Sequence, residues 1–144
     1  MSIRFDDKVV IVTGAGGGLG KEHAIEFAKR GAKVVVNDLG SSVDGSGASD
    51  SANEVVENIK STGGEAIANG ASVTDLNAVK EMVNEAMEKW GRVDVLVNNA
   101  GILRDKSFHK ISIEDFNLVM SVHFEGTLNC THTVFPIMRE QNLS

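Results

Sequence analysis

VVIVTGAGGGLG, at residues 9–20, predicts a strand, a glycine turn and the beginning of a helix. Four β-branched residues precede Thr13, and five glycines then fall within seven positions. After Gly20 the apolar residues recur at helical spacing, as Ala24, Ile25, Phe27 and Ala28. This order brings backbone N–H groups and the positive end of a helix dipole up to a phosphate. We therefore expect a nucleotide-binding turn, with a plain flexible glycine loop as the alternative.

Two common phosphate-binding motifs do not fit this turn. A triphosphate loop needs glycine at position 15 and Ser or Thr at position 22, where the chain has Ala15 and Glu22. The GxGxxG fingerprint needs a third glycine at the position of Leu19. The motif that remains is TGxxxGxG, formed by Thr13, Gly14, Gly18 and Gly20.

Predicted strands and helices alternate along the chain. The strands are expected at 8–13, 33–38, 65–69 and 93–98, and the helices at 19–30, 52–62, 76–90 and from 112 toward 141. Residues 39–51, rich in Gly, Ser and Asp, predict a loop. Ser112 and Asp115 resemble a capping box, and Pro136 is expected to kink the last helix or end its regular part. The fold class is therefore α/β, a doubly wound parallel sheet in one domain over 1–144.

Composition excludes several classes of protein. The chain has 144 residues, of which 42% are apolar and 24% charged, as is usual for one soluble globular domain. A net charge of −6 argues against nucleic acid, and we expect no membrane association because no apolar run approaches roughly 20 residues. A lone cysteine, Cys130, excludes an internal disulfide and a cysteine-based zinc site. We expect no metal and a cytoplasmic location.

Asp38 closes the second predicted strand, eighteen residues after Gly20. An acid there can accept both hydroxyl protons of an adenine ribose and disfavours a 2′-phosphate. A basic residue in the turn or just after the acid would reverse this preference, but those positions hold Gly17 and Leu39. The sequence therefore predicts NAD over NADP. The alternative is an exposed aspartate that caps the next segment.

The fourth predicted strand ends in VNNAG at residues 97–101, at the same carboxyl edge of the sheet. Ligands of open α/β sheets bind outside those strand ends, near the switch point between the first and fourth strands. Small residues there let a cofactor ribose approach the backbone, and amide side chains can tie adjacent strands together. Two consecutive asparagines alone are more often a turn.

TGxxxGxG together with NNAG resembles the short-chain dehydrogenase/reductase family, whose fold is Rossmann-like. The likeness runs from about Ile3 to Gln141. The segments 4–6, 36–40, 72–73 and 98–105 are similar to the (3R)-hydroxyacyl-CoA dehydrogenase domains of multifunctional enzymes type 2 of β-oxidation. The resemblance implies that NAD is bound by Thr13, Gly14, Gly16, Gly18, Leu19, Gly20, Asp38, Leu39, Ser72, Val73, Asn98, Ala100 and Gly101. Ser72 departs from the family's usual Asp near the adenine, although serine can still hydrogen-bond the base.

The same resemblance implies oxidation of a (3R)-3-hydroxyacyl-CoA, a homo-oligomer when complete, and the peroxisome as an alternative location. The family's acid–base chemistry depends on a serine after a fifth strand and on a YxxxK pair, yet this chain has no tyrosine. We therefore expect this chain to be only the cofactor-binding part of such an enzyme, truncated after the fourth βα unit. We expect no catalytic residue in it, although His123 stands at the family's Asn position. The alternatives are a structural role for His123, and a non-catalytic NAD-binding or partner-packing module for the chain.

Overall fold

The computed structural model describes residues 2–39 and 48–143 of the chain. Strands and helices alternate through most of it. Their bounds are β1 Val9–Val12, α1 Gly18–Lys29, β2 Lys33–Asn37, α2 Asp50–Ser61, β3 Glu65–Asn69, α3 Leu76–Trp90, β4 Val95–Val97, α4 Ile113–Met120 and α5 Gly126–Leu143. A 3-10 turn, Phe108–Lys110, precedes α4, and a π-helical segment, Ser121–Glu125, joins α4 to α5.

The four strands form a parallel sheet in the order β3-β2-β1-β4. Followed along the chain, β2 and β3 are added on one side of β1, and β4 is then added on its other side. The switch point therefore lies between β1 and β4. Strand β1 is buried along its whole length because helices cover both faces of the sheet. Val10 and Val12 pack toward α1 and α2, whereas Val9 and Ile11 pack toward α3 and α5. The doubly wound α/β fold is thus confirmed.

The prediction for β4 was wrong in its bounds. The strand is shorter than the predicted 93–98, and its three residues are only half-buried. Within the described part of the chain, β4 pairs with β1 alone and forms an edge of the sheet. An edge strand loses the cover and the hydrogen bonds that a second neighbour would give.

Helix α2 begins at Asp50, two residues earlier than predicted, because Ser49 caps it. Ser49 Oγ accepts a hydrogen bond from Ala52 N at 3.0 Å, which satisfies one of the unpaired N–H groups of the first turn. Residues 40–47, most of the predicted loop, lie outside the described residues.

The long predicted helix begins as expected but is not continuous. Ser112 Oγ accepts from Asp115 N at 3.0 Å, so the cap is confirmed. The π-helical segment was not predicted; it precedes Gly126, where an added Cβ would lie 2.5 Å from Val73 Cγ2. Pro136 does not end the helix, since α5 continues to Leu143. None of the helices described is long and apolar enough to cross a bilayer.

Asp94 ties the amino ends of β1 and β4 together. Its side chain is 12% exposed, accepts from Val9 N at 2.9 Å, and receives two hydrogen bonds from Arg92 at 2.6 and 2.8 Å. Burial raises the pKa of Asp94. The hydrogen bonds from Arg92 and Val9 and the charges of Arg92 and Lys8 together lower the pKa by more than burial raises it, so the net shift is downward.

Asp94→Asn is therefore expected to destabilise the chain by about 1.5–3 kcal/mol at pH 7, the range for hydrogen bonds to charged groups. Since the folded pKa lies below the unfolded value of about 3.9, this contribution is present above that value and is lost as the pH falls through the folded pKa. Urea denaturation of both proteins at pH 7 and at acidic pH measures it. The exposed Asp105→Asn serves as the matched control. A difference in unfolding free energy that stays constant with pH would contradict this role.

Candidate functional site

The carboxyl ends of the four strands bring most of the predicted site residues to one groove. It has a volume of about 140 Å³, and it is lined by Gly14, Asn37, Asp38, Leu39, Ala71, Ser72, Val73, Ala100, Gly101, Ile102 and Val122. Thr13 and Asn98 line a smaller adjoining space. Of the other predicted residues, Gly16 lies in the glycine turn between β1 and α1, and Gly18, Leu19 and Gly20 are the first residues of α1.

Two glycines, one in the turn and one at the first position of α1, have backbones in the left-handed region that favours glycine. Gly14 has φ +63° and Gly18 has φ +54°. An added Cβ at Gly14 would lie 2.9 Å from Ala100 Cα, whereas one at Gly18 would meet no atom within 4 Å. Gly14 is therefore needed for packing, and the space at Gly18 is open for a ligand.

The beginning of α1 is suited to an anion. Gly17 is the N-cap residue, supplies no side-chain cap, and is followed by no acid in the first turn. The first N–H groups of a helix have no acceptor within it, and the helix dipole makes this end positive. Leu19 lies there with 74% of its surface exposed. A pyrophosphate could accept hydrogen bonds from these backbone groups.

Thr13 and Asn99 join the carboxyl ends of β1 and β4. Thr13 Oγ1 accepts from Asn99 N at 3.1 Å and from Ala100 N at 3.0 Å. Asn99 Nδ2 donates to Thr13 O and Gly14 O, both at 3.0 Å. The predicted site residues omitted Asn99, although the NNAG motif contains it. Asn98 instead points to α5, where its Nδ2 donates to Thr131 Oγ1 at 3.0 Å.

Asp38 is half-buried just beyond β2, beside the exposed Leu39. Its N–H donates to Asn69 O at 3.0 Å, and its Oδ2 receives a hydrogen bond from Ser49 Oγ at 3.3 Å. No ion pair to Asp38 occurs among residues 2–39 and 48–143. The carboxylate can therefore accept hydrogen bonds from a ligand.

A pair of amides, Asn37 buried and Asn69 half-buried, holds the loop that leads to Ser72. Asn37, 1% exposed, donates through Nδ2 to Asn69 Oδ1 and to Ala71 O, each at 3.0 Å. Ala71 N returns a bond to Asn69 Oδ1 at 2.9 Å. This pair was not predicted, and its only signal in the sequence is the polar Asn37 at the end of an apolar strand. Ser72 Oγ itself lies 2.8 Å from Thr74 Oγ1.

His123 lies on the π-helical segment and contacts the loop that follows β4. Its Nε2 lies 3.0 Å from Ile102 N and 2.9 Å from Ile102 O, so either tautomer bonds that backbone. An added Cβ at Gly101 would lie 2.5 Å from His123 Cε1. The imidazole therefore holds two residues of the groove wall in place, and π-helical segments are frequent at functional sites.

The one cysteine is not a reactive group. Cys130 is 1% exposed, and burial raises the pKa of its thiol to about 11. It stays protonated near neutral pH and packs as a small apolar residue. In the described part of the chain, no three His, Cys, Asp or Glu side chains come together in a way that could hold a metal ion.

The fold is of the dinucleotide-binding α/β type. Its sheet is parallel and doubly wound, a glycine turn precedes the first helix, and an acid follows the second strand. A family model described as short chain dehydrogenase matches residues 8–143. The chain belongs to that family of oxidoreductases.

Its relatives are longer proteins. The chain is 52% identical over 141 residues to the peroxisomal multifunctional enzyme type 2 of Drosophila melanogaster, covering 97% of this chain and 23% of the relative. It is 54% identical to the peroxisomal multifunctional enzyme A of Dictyostelium discoideum, covering 99% of this chain and 32% of the relative. A crystal structure of a short chain dehydrogenase from Mycobacterium avium superposes with a TM-score of 0.89 at 45% identity, covering 96% of this chain and 48% of that one. The resemblance to multifunctional enzymes is thus confirmed.

Proposed function

We propose that residues 1–144 are the cofactor-binding domain of an NAD-dependent short-chain oxidoreductase that acts on (3R)-3-hydroxyacyl-CoA. The observation that carries the proposal is the convergence of the glycine turn and Asp38 at one edge of the sheet. The acyl-CoA substrate is supported by the similarity to multifunctional enzymes.

The residues present fit NAD. The backbone of Gly18, Leu19 and Gly20, at the beginning of α1, would hold the pyrophosphate, and Gly14 and Gly16 keep the turn tight. Asp38 and Leu39 would flank the adenine ribose, and Ser72 and Val73 the adenine. Thr13, Asn98, Ala100 and Gly101 would support the nicotinamide side. When bound, NAD supplies the acceptor for the hydrogen that is removed from the substrate carbon as a hydride. His123 would act by holding Gly101 and Ile102 in place.

Asp38→Ala tests the cofactor choice. The unmodified chain should bind NAD more tightly than NADP, and the variant should bind NAD about 10- to 100-fold more weakly, because two ribose hydroxyls lose a charged acceptor. Calorimetric titration with both cofactors measures the change. Asp50→Ala, which removes a nearby acid from the first turn of α2, is the matched control and should leave the NAD affinity unchanged. If the Asp38 variant preferred NAD over NADP as strongly as the unmodified chain does, the proposal would be overturned.

A non-catalytic NAD-binding or partner-packing module is the second candidate. It is favoured by one observation, the absence of tyrosine from the sequence, because the family's proton transfer depends on that residue. The two candidates differ in whether the chain gains turnover when it is joined to the family's catalytic segment.

We further propose a homo-oligomer and an acyl-CoA partner for the complete enzyme, and neither nucleic acid nor membrane as a partner. Large apolar side chains between 42% and 67% exposed recur from α4 into α5, at Phe116, Met120, Phe124, Leu128 and Phe135. Such exposure is expected for a surface that is covered in a larger assembly. The peroxisomal names of two relatives favour the peroxisome over the cytoplasm as the location.

A further inference from the structure

We propose that Ser49 is a positioning residue for Asp38 and thereby a determinant of the preference for NAD over NADP. The inference rests on the proposed function, since it assigns a second residue to the same ribose subsite.

The Ser49 hydroxyl connects α2 to the end of β2. Its oxygen accepts from Ala52 N at 3.0 Å, and its hydrogen is donated to Asp38 Oδ2 at 3.3 Å. A hydroxyl has one hydrogen to donate, so that donor is fully used by the carboxylate. The cap of α2 and the orientation of Asp38 thus depend on one side chain, which lies in the predicted loop 39–51.

Two further contacts confine the same carboxylate. A Cβ added at Gly16 would overlap the Asp38 carboxylate, so the glycine turn closes one side of it. The Asp38 N–H bond to Asn69 O at 3.0 Å fixes the backbone from which the side chain projects. Ser49 donates to the oxygen that faces Gly16, Oδ2. Asp38 Oδ1 receives no hydrogen bond from the residues described, and it stands ready for a ribose hydroxyl.

This arrangement favours a diol over a phosphate. A preorganised carboxylate loses little freedom when it accepts the two ribose hydroxyls, which strengthens NAD binding. The 2′-phosphate of NADP would meet the negative charge of Asp38. Ser49 offers no relief, because its single donor is already engaged by Asp38.

A double-mutant cycle on the 144-residue chain tests the coupling. Ser49→Ala should weaken NAD binding by up to about tenfold, because Asp38 must then be ordered on binding, and should change NADP binding less than twofold. In the Asp38→Ala background the same substitution should leave NAD affinity unchanged. Ser49→Thr keeps both the hydroxyl and the cap and should restore NAD affinity to within about twofold of the unmodified chain.

Loss of the helix cap is separated from loss of the contact to Asp38 by Ser49→Asp. Aspartate caps a helix as well as serine does, but it cannot donate to Asp38 and adds a like charge. It should keep the melting temperature and still lose NAD affinity. Ser49→Ala acting equally in both backgrounds, or Ser49→Asp binding NAD normally, would overturn the inference. Asp38→Ala without effect would overturn the proposed function instead.

Discussion

No NADH is expected when the 144-residue chain is mixed with NAD and a (3R)-3-hydroxyacyl-CoA. The sequence contains no tyrosine, and the groove residues described include no paired acid and base that could take the hydroxyl proton of a substrate. Positioned proton transfer contributes about 10²–10⁴-fold to a rate, and the orientation of the substrate hydroxyl is lost as well. The rate should therefore not exceed that of NAD and substrate alone, followed at the absorbance band of NADH.

Joining the catalytic segment of a related short-chain dehydrogenase to the carboxyl end should restore NADH production. The extended protein should oxidise the (3R) substrate and leave the matched (3S) substrate unreacted. The same extended protein carrying Asp38→Ala is the control, because it should need more NAD for the same rate. Turnover by the unextended chain would refute the expected inactivity, and a preference for the (3S) substrate would refute the assignment of substrate.

Gly18→Val is expected to abolish NAD binding while leaving the far-ultraviolet circular dichroism nearly unchanged. Gly18 has φ +54°, which costs a non-glycine residue about 1–3 kcal/mol and is worse for a β-branched one. A Cβ added at Gly18 would meet no atom within 4 Å, so the substitution leaves the core intact and fills space in front of α1. Calorimetric titration with NAD and a circular dichroism spectrum measure both parts of the expectation.

Gly17→Val is the matched control for this substitution. Gly17 has an extended backbone, with φ −164°, which valine adopts without strain, and its added Cβ would also meet no atom within 4 Å. The two variants add the same volume one residue apart, but only Gly18 has a backbone that valine strains. Gly18→Val should therefore weaken NAD binding far more than Gly17→Val. If Gly18→Val bound NAD as tightly as Gly17→Val, the turn would be only a linker between β1 and α1.

Elements with local signals at both ends could be predicted from the sequence. Helix α3 was predicted as 76–90, and the structure places it at Leu76–Trp90. Asp75 caps its beginning by accepting from Asn77 N and Ala78 N, and Gly91 ends it with φ +76°. Such caps need only neighbouring residues, so a sequence pattern is enough to locate them.

Features that depend on distant residues could not be predicted. The π-helical segment at Ser121–Glu125 follows no local pattern, and Gly126 beside it is pressed against Val73 from another part of the chain. The bonds of Asn37 to Asn69 and of Ser49 to Asp38 likewise join separate elements. The NNAG motif located the end of β4, but only the fold showed that Asn99 bonds the β1 turn and that Asn98 bonds α5.

The cofactor site is best tested by calorimetric titration of the unmodified 144-residue chain with NAD and, separately, with NADP. The glycine turn and Asp38 predict one NAD bound per chain, with a dissociation constant at least about tenfold below that of NADP, as for one charged hydrogen bond. No heat of binding with NAD, or NADP bound as tightly as NAD or more tightly, would contradict the site proposed at this edge of the sheet.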